Sequence, residues 1–336
     1  MNQLWAVVLA AGEGKRMHSD LPKVLHHLCG RSMLSYITGS ASELTDNVLI
    51  VVGHGASQVQ ELYKNKYSFV FQEQQLGTGH AVLQSLDSLP SEGTLLILCG
   101  DTPLLTTEHL KSLLSRHNEN AVTVATTNLP DPSGYGRVIR DDSNRVKCII
   151  EDRDASKQEK KISEINTGTY CFDLHLLREY LPRLSTDNAQ QEYYLTDVVS
   201  LLYRDGYKTG AYVIDENRVG LGINNRAQLA EAAVLMREKI NHRLMMQGVT
   251  MVDPGSTYID YDVTIGPDTT LLPNCVIEKG TTVGKGCLIG PNSHLRGVKV
   301  EEKAVISQSH LEGVTVKAGE RIGPFDCRIS ENSENC

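Results

Sequence analysis

The residues best suited to chemistry open the chain. An apolar run, Leu4 to Ala10, leads into Ala11-Gly12-Glu13-Gly14-Lys15-Arg16-Met17. Strand, glycines and then cations is an arrangement that binds phosphate: glycines let the backbone approach an anion and aim its N–H groups at it. Arg16 adds a planar fork of donors. A second cation, Lys23, follows seven residues after Arg16, directly behind Pro22, whose ring stiffens the loop. Two familiar phosphate motifs do not fit. The dinucleotide fingerprint needs a third glycine where Met17 stands, and no G-x-x-x-x-G-K-[ST] string occurs. Taken singly, the glycines also read as a turn and Lys23 as a surface lysine.

A carboxylate completes the set. Leu95 to Cys99 reads as a strand and runs into Gly100-Asp101-Thr102-Pro103. The C-terminal end of a parallel strand is where such sheets bind ligands. A hard ion such as Mg²⁺ takes one or two protein carboxylates plus phosphate oxygens. Asp101 is therefore a candidate metal ligand, although Asp before Thr-Pro also makes a turn.

The elements that must position these groups follow from periodicity. Leu4 to Ala10, Val48 to Val52, Phe69 to Phe71, Thr94 to Cys99 and Ala121 to Thr126 read as strands, several of them nearly continuous apolar runs. Between them, Met33 to Leu44, Gly79 to Leu86 and Thr107 to His117 read as amphipathic helices. The alternation predicts an α/β domain with a mostly parallel sheet over residues 1–226. Residues 227–250 form a linker centred on one long helix without internal Gly or Pro, which either connects two domains or packs on the first.

From 251 to 336 the pattern changes. Ile259, Ile265, Leu271, Ile277, Val283, Ile289 and Leu295 recur every six residues, with turn residues between them. That period predicts a hexapeptide β-helix whose aliphatics stack coil upon coil. After Leu295 the register slips, and Leu311, Val316 and Ile322 predict irregular coils continuing to about Pro324. The polar tail from Ile329 to Cys336 is expected to fray.

Composition sets the outer bounds. The 336 residues, 40% hydrophobic and 22% charged, suit a globular chain of two domains. A net charge of −8 argues against a general nucleic-acid or membrane-surface binder, though not against a local basic pocket. Eight cysteines without a C-x-x-C pair point to reduced, mostly buried thiols. The start, Met1-Asn2-Gln3, has no basic region, and the apolar run behind it is too short for a signal or membrane helix, so a cytoplasmic location is expected.

With these residues assembled, L-A-A-G-x-G-x-R-M followed by L-P-K-V-L resembles the signature of sugar-1-phosphate nucleotidyltransferases. Further blocks resemble the same family: Gln72-x-x-Gln75-Leu76-Gly77-Thr78-Gly79-His80-Ala81, Gly134-Tyr135-Gly136-Arg137, Ile149-Ile150-Glu151, Asn166-Thr167-Gly168, Glu192-Tyr193-Tyr194-Leu195-Thr196-Asp197 and Gly222-Ile223-Asn224-Asn225-Arg226. Together with the solenoid, they are similar to the bacterial bifunctional N-acetylglucosamine-1-phosphate uridylyltransferase/glucosamine-1-phosphate acetyltransferases. The resemblance covers residues 4–250.

The resemblance implies a Rossmann-like nucleotidyltransferase domain followed by a short left-handed parallel β-helix. It implies transfer of UMP from UTP to N-acetylglucosamine 1-phosphate, giving UDP-N-acetylglucosamine, a precursor for cell-wall and lipopolysaccharide synthesis, and pyrophosphate. Mg²⁺ would be held by Asp101 and Asn224, with Arg16 and Lys23 as catalytic cations. Gln72, Gln75, Gly77 and Thr78, with the backbone of Leu9, Ala10, Ala11 and Gly12, would meet the nucleotide. Gly136, Glu151, Asn166, Tyr194 and Thr196 would meet the sugar. A homotrimer is implied, with no nucleic-acid or membrane partner.

Two departures stand out: Lys15 where the family has Thr, and Cys99 where it has an aromatic residue. The chain also ends at Cys336 without the later basic and His/Asn-rich coils of the acetyltransferase, so acetyl transfer is expected to be absent. Two alternatives remain. One is the same chemistry with dTTP or ATP and another sugar phosphate; the Gln72–His80 loop and the Asn166 and Tyr194 blocks argue against it. The other is a trimeric β-helix acyltransferase or scaffold carrying a nucleotide-binding domain, which the complete cation and metal set opposes.

Overall fold

The computed structural model describes residues 3–330. The described residues divide into two compact units: 3–26 with Ser32–Asn225, and 27–31 with 226–330.

The first unit is built on a sheet. Its strands are β1 (Leu4–Ala10), β2 (Val48–Val52), β3 (Ser68–Phe71), β4 (Thr94–Cys99), β5 (Val122–Asn128), β6 (Arg137–Arg140), β7 (Val146–Ile150), β8 (Glu164–Asp173) and β9 (Thr209–Val213). The helices are α1 (Met33–Ser42), α2 (Ala56–Tyr63), α3 (Thr78–Ser85), α4 (Thr107–His117), α5 (Leu174–Tyr180) and α6 (Thr196–Arg204). The main order is β9-β5-β8-β4-β1-β2-β3, and the β6–β7 hairpin joins β8. All five residues of β2 are buried, as its unbroken aliphatic run requires of a strand covered on both faces.

Along the main order most pairings are parallel, but β8 runs antiparallel to both β4 and β5, and its pairing with β6 and the β6–β7 hairpin are antiparallel too. This reversal matters for the site. The parallel strands β1 and β4 end side by side, with Leu9 opposite Cys99, and the Gly100 N–H donates to the Leu9 carbonyl at 2.9 Å. Because β8 is reversed, its beginning, not its end, lies at that same edge. Asn166 and Gly168 thereby come beside the exit of β4, and the Cys99 thiol donates to the Gly168 carbonyl at 3.4 Å.

The second unit holds the long helix α7 (Arg226–Met246) and a solenoid. It also takes in residues 27–31, a short hairpin that the sequence placed with the first domain. The hairpin is held by the Tyr261 N–H donating to the Cys29 carbonyl at 3.0 Å, by an Arg31–Asp262 ion pair, and by Arg31 stacked 4.3 Å over the Tyr261 ring. Asn241 on α7, buried, donates to the carbonyls of Pro254 and Thr257 at 2.9 and 3.0 Å, fixing the first turn of the solenoid.

The solenoid is three parallel sheets, two of five strands and one of four. Ile259, Ile277 and Leu295 stack in one sheet, so each coil comprises three six-residue turns. With the hexapeptide pattern this is a left-handed parallel β-helix. Beyond Leu295 the coils continue without a break, and Val300, Ile306, Leu311, Val316 and Ile322 remain buried. The register slips because three corners lose a residue, one of them between Ile306 and Leu311, where Gln308 turns at φ 45°. At Gly297 and Gly313 a single glycine at φ 61° and 65° makes the turn, a left-handed conformation that suits residues without a Cβ. The solenoid also runs past Pro324: Cys327–Ile329 pairs with His310–Glu312. Ile329 is therefore in a strand rather than in a frayed tail, and the rest of that expected tail, after Ser330, lies outside the described residues.

Seven cysteines among the described residues are free thiols. Cys171, Cys275 and Cys287 are buried, Cys29, Cys99 and Cys148 half-buried, and Cys327 exposed, a more even spread than the sequence suggested. No helix among the described residues is long and apolar enough to cross a membrane.

The stacked aliphatics predict a stability effect. Leu295 is fully buried between Ile277 and Leu311. Leu295→Ala is expected to destabilise the solenoid by about 2–5 kcal/mol, through lost transfer energy and the cavity left behind. Urea denaturation followed by circular dichroism checks this; a loss below about 1 kcal/mol would mean that the coils collapse around the gap.

Candidate active site

Three side chains from distant parts of the chain meet at the joined ends of β1 and β4. The Lys23 ammonium is bonded to the Asp101 carboxylate and donates to Asn224 Oδ1 at 3.1 Å. The Lys23 and Asp101 side chains are each only 15% exposed, so neither charge could be held there without the other. Each partner is delivered by its own device. Pro22 precedes the short 3₁₀ turn Lys23–Leu25. Asp101 sits one residue past the backbone link to β1, and its turn is closed by Thr102 Oγ1 donating to the Cys99 carbonyl at 2.7 Å. Asn224 donates from Nδ2 to the Gly222 carbonyl at 3.1 Å, which leaves Oδ1 for the cation.

Glycines make this approach possible. Gly14 has φ 65°, and a Cβ there would lie 2.7 Å from the Lys23 Cβ. The glycine loop is thus packed against the stem of Lys23. A Cβ on Gly222 would crowd both Asp101 carboxylate oxygens at 3.2 Å. Neither role was assigned from sequence, although both glycines stand in the motifs. Arg16 lies exposed on the 3₁₀ turn Lys15–Met17 and is not joined to the Lys23 cluster. Lys15 is ion-paired with Glu13 at 2.5 Å, so the extra charge expected from it is locally compensated.

A second group surrounds Glu151. Thr196 Oγ1 donates to Glu151 Oε1 at 3.3 Å, and a Cβ on Gly136 would sit 3.4 Å from both Glu151 oxygens. The Asn166 N–H donates to the Gly136 carbonyl at 2.9 Å, while its side chain bonds the Tyr170 hydroxyl at 2.6 Å and accepts from the Gly168 N–H at 3.0 Å. Buried Arg137 anchors this strand by an ion pair to Asp152 at 3.0 Å. Tyr194 is buried and directs its hydroxyl to Asp154 at 3.4 Å. Burial raises the Glu151 carboxyl above its ordinary range against the Thr196 hydrogen bond, and Asp197, Asp154 and Glu192 push the same way as burial. The half-buried Cys99 thiol, desolvated and beside Asp101, is pushed up to about 12 and stays protonated.

The third group is the loop after β3. The Gly79 N–H donates to the Tyr193 carbonyl and the Tyr193 N–H to the Leu76 carbonyl, both at 2.8 Å, and the Leu195 N–H donates to Thr78 Oγ1 at 3.2 Å. This loop and the Glu192–Asp197 segment therefore form one wall. Gly77, at φ 106°, is the hinge: a Cβ there would strike the Tyr193 carbonyl at 2.6 Å. Gln72 is buried, and Gln75 is exposed and donates to the Gln72 backbone carbonyl at 3.2 Å. Of the first strand's exit, Ala10 and Ala11 are buried, Leu9 is half-buried, and Gly12 is open.

Both parts of the chain resemble known proteins. Residues 6–159 match the MobA-like NTP transferase domain, and residues 262–297 match the bacterial transferase hexapeptide, six repeats. The bifunctional protein GlmU of Thermoanaerobacter pseudethanolicus is 44% identical over 97% of this chain and 72% of its own length. The GlmU of Halalkalibacterium halodurans is 43% identical over the same shares, and that of Listeria welshimeri 44%. The chain belongs to the family of bifunctional GlmU proteins. Membership makes it a nucleotidyltransferase that takes a nucleotide and a sugar phosphate and uses a divalent metal. It spans 72% of the length of these GlmU relatives.

The metal requirement fits the residues present. A carboxylate and an amide oxygen already converge on one cation, the Lys23 ammonium. These are hard oxygen donors. No group of three or more His, Cys, Asp or Glu that could hold a metal occurs among the described residues. The pair therefore suits an ion whose remaining positions are filled by phosphate oxygens and water.

Glu151 yields a pH-dependent prediction. A carboxyl whose folded pKa is raised costs stability when it ionises, and the cost disappears as pH falls through the raised value to the ordinary one. Glu151→Gln is thus expected to stabilise the first unit at neutral pH. The gain shrinks on acidification and vanishes below the ordinary carboxylate range. Thermal melts of both proteins from pH 7 to 4 read this; a gain that persists unchanged at pH 4 would contradict the burial argument.

Proposed function

We propose that the chain transfers UMP from UTP to N-acetylglucosamine 1-phosphate, releasing pyrophosphate, and that the site acts with Mg²⁺ held by Asp101 and Asn224. The observation that carries the reading is the Lys23–Asp101–Asn224 cluster set against the glycine loop at the ends of β1 and β4.

The acceptor sugar phosphate brings its own ionised oxygen, so the reaction calls for no general base, and none is assigned. Catalysis is then alignment and charge stabilisation. The bound metal would neutralise phosphate charge and hold the oxygens in line. Lys23 opposes charge developing at the α-phosphate, and Arg16, exposed beside the glycine loop, draws the departing pyrophosphate. The backbone of Leu9 to Gly12 and the side chains of Gln72, Gln75 and Thr78, with Gly77 as hinge, hold the nucleoside. Gly136, Glu151, Asn166, Tyr194 and Thr196 orient the sugar. Its carboxylate-rich wall disfavours the phosphate end and so aids its orientation toward the cations. We further propose that the solenoid assembles three copies, which sedimentation would read as three times the 37.0 kDa chain; a single-chain mass would refute this.

Pyrophosphate release with Mg²⁺ tests the reaction, crossing UTP, dTTP and ATP with N-acetylglucosamine, glucosamine and glucose 1-phosphates. Strong release is expected only for UTP with the N-acetylated sugar. Lys23→Ala is expected to lower kcat by about 10²–10³-fold, with a smaller change in KM. Asp101→Ala should nearly abolish turnover. A pure KM effect of Lys23→Ala would remove it from the transition state, and an active Asp101→Ala would move the metal elsewhere.

A further inference from the structure

The Gln72 side chain is 3% exposed, and its amide is bonded at one end only. Nε2 lies 3.2 Å from the Gly77 carbonyl and 3.0 Å from His80 Nδ1. A carbonyl oxygen only accepts, so the amide atom facing Gly77 must be the nitrogen. Its second hydrogen then goes to His80 Nδ1, which must accept. The ring proton consequently sits on Nε2, and the exposed Gln84 amide, whose nitrogen is placed 3.2 Å away, must be turned to accept it through its oxygen. His80 is held in this pose within α3 and lies 6.3 Å, centroid to centroid, from the Tyr193 ring at 30°. Both amide hydrogens of Gln72 are thereby used, while its Oε1 accepts no hydrogen bond from any described residue.

We propose that His80 is a positioning residue: with the Gly77 carbonyl, it locks the Gln72 amide so that only an acceptor is left for the base. A base that offers a ring N–H suits such an acceptor. Uracil and thymine carry that donor. The ring nitrogens of cytosine and adenine at the corresponding edge are acceptors, and they would face Oε1 lone pair to lone pair. The inference rests on the proposed role of residues 72–80 in holding the base. It adds the residue that sets the direction of the hydrogen bond, and hence the class of base admitted. Without an acceptor at position 80, one amide hydrogen loses its partner inside a buried site, a costly state. The amide then gains by turning to donate toward the ligand, which removes the penalty against cytosine.

The test is kcat/KM for UTP and for CTP with the intact chain, in wild type, His80→Phe, His80→Gln and Gln72→Ala. His80→Phe is expected to lower the UTP:CTP ratio tenfold or more, with KM for the sugar phosphate unchanged. His80→Gln, which restores an acceptor, should recover most of the ratio. A helix-packing role alone would lower both rates together and leave the ratio intact. If His80→Phe does so while Gln72→Ala collapses the ratio, the base loop stands and the positioning role is overturned. If Gln72→Ala also leaves the ratio unchanged, the base-loop reading fails, and this inference with it. Should the phenylalanine variant not fold, as judged by circular dichroism, His80→Leu removes the same acceptor with a smaller side chain and is read against the same ratio.

Discussion

The structure of the site depends on one half-buried charge pair. Lys23 and Asp101 are shielded from water, and isolated charges in that environment would be expelled or neutralised. Their mutual contact and the Asn224 carbonyl satisfy both. That condition reaches far into the fold. It requires β1 and β4 to be neighbours and in register, so that the glycine loop and Asp101 leave the sheet together. It also requires glycine at 14 and at 222, where a side chain would push the lysine stem or the carboxylate away.

The reversed strand β8 is the second constraint. A fully parallel sheet would carry the start of β8 to the opposite edge, far from Asp101. Running antiparallel, it brings Asn166 and Gly168 beside Cys99, and the irregular pairing between Asn166 and Thr169 frees that segment from a regular ladder. The β6–β7 hairpin then sets Gly136 and Glu151 against Asn166. Charge is sorted along this edge. Cations stand near the glycine loop, while Glu151 lies on the other side with Asp154, Glu192 and Asp197, each of these three near enough to raise its ionisation cost. In the proposed reaction, an anionic phosphate and a neutral sugar face surroundings of matching character.

The solenoid obeys a simpler rule. Each inward aliphatic is covered only when the next coil is laid on it, so its stability is collective. The hexad survives three one-residue losses, at Gly297, between Ile306 and Leu311, and at Gly313, because the corner, not the strand, absorbs them. The inward positions therefore stay in line through Ile322.

Much of this was legible in the residues. Continuous apolar runs announced β1, β2 and β4, since strands buried on both faces can carry nothing else. The six-residue recurrence announced the solenoid, because only a repeating backbone keeps such spacing. The glycine loop, Lys23 and Asp101 could be named as candidate phosphate and metal groups from chemistry alone. Other features had no local signal. The direction of β8, the membership of residues 27–31 in the second unit, the packing of Gly14 on Lys23 and the pairing of Lys15 with Glu13 depend on partners set by the fold or by side-chain geometry. His80 is the sharpest case. Its place in the Gly-Thr-Gly-His string was visible, yet its task follows from a carbonyl three residues away and a glutamine eight residues away. The sequence by itself determined which chemical groups were present and which elements carried them, because those follow from residue type and period. Only the tertiary structure decided which oxygen faced which hydrogen, because hydrogen-bond direction is a property of positions in space.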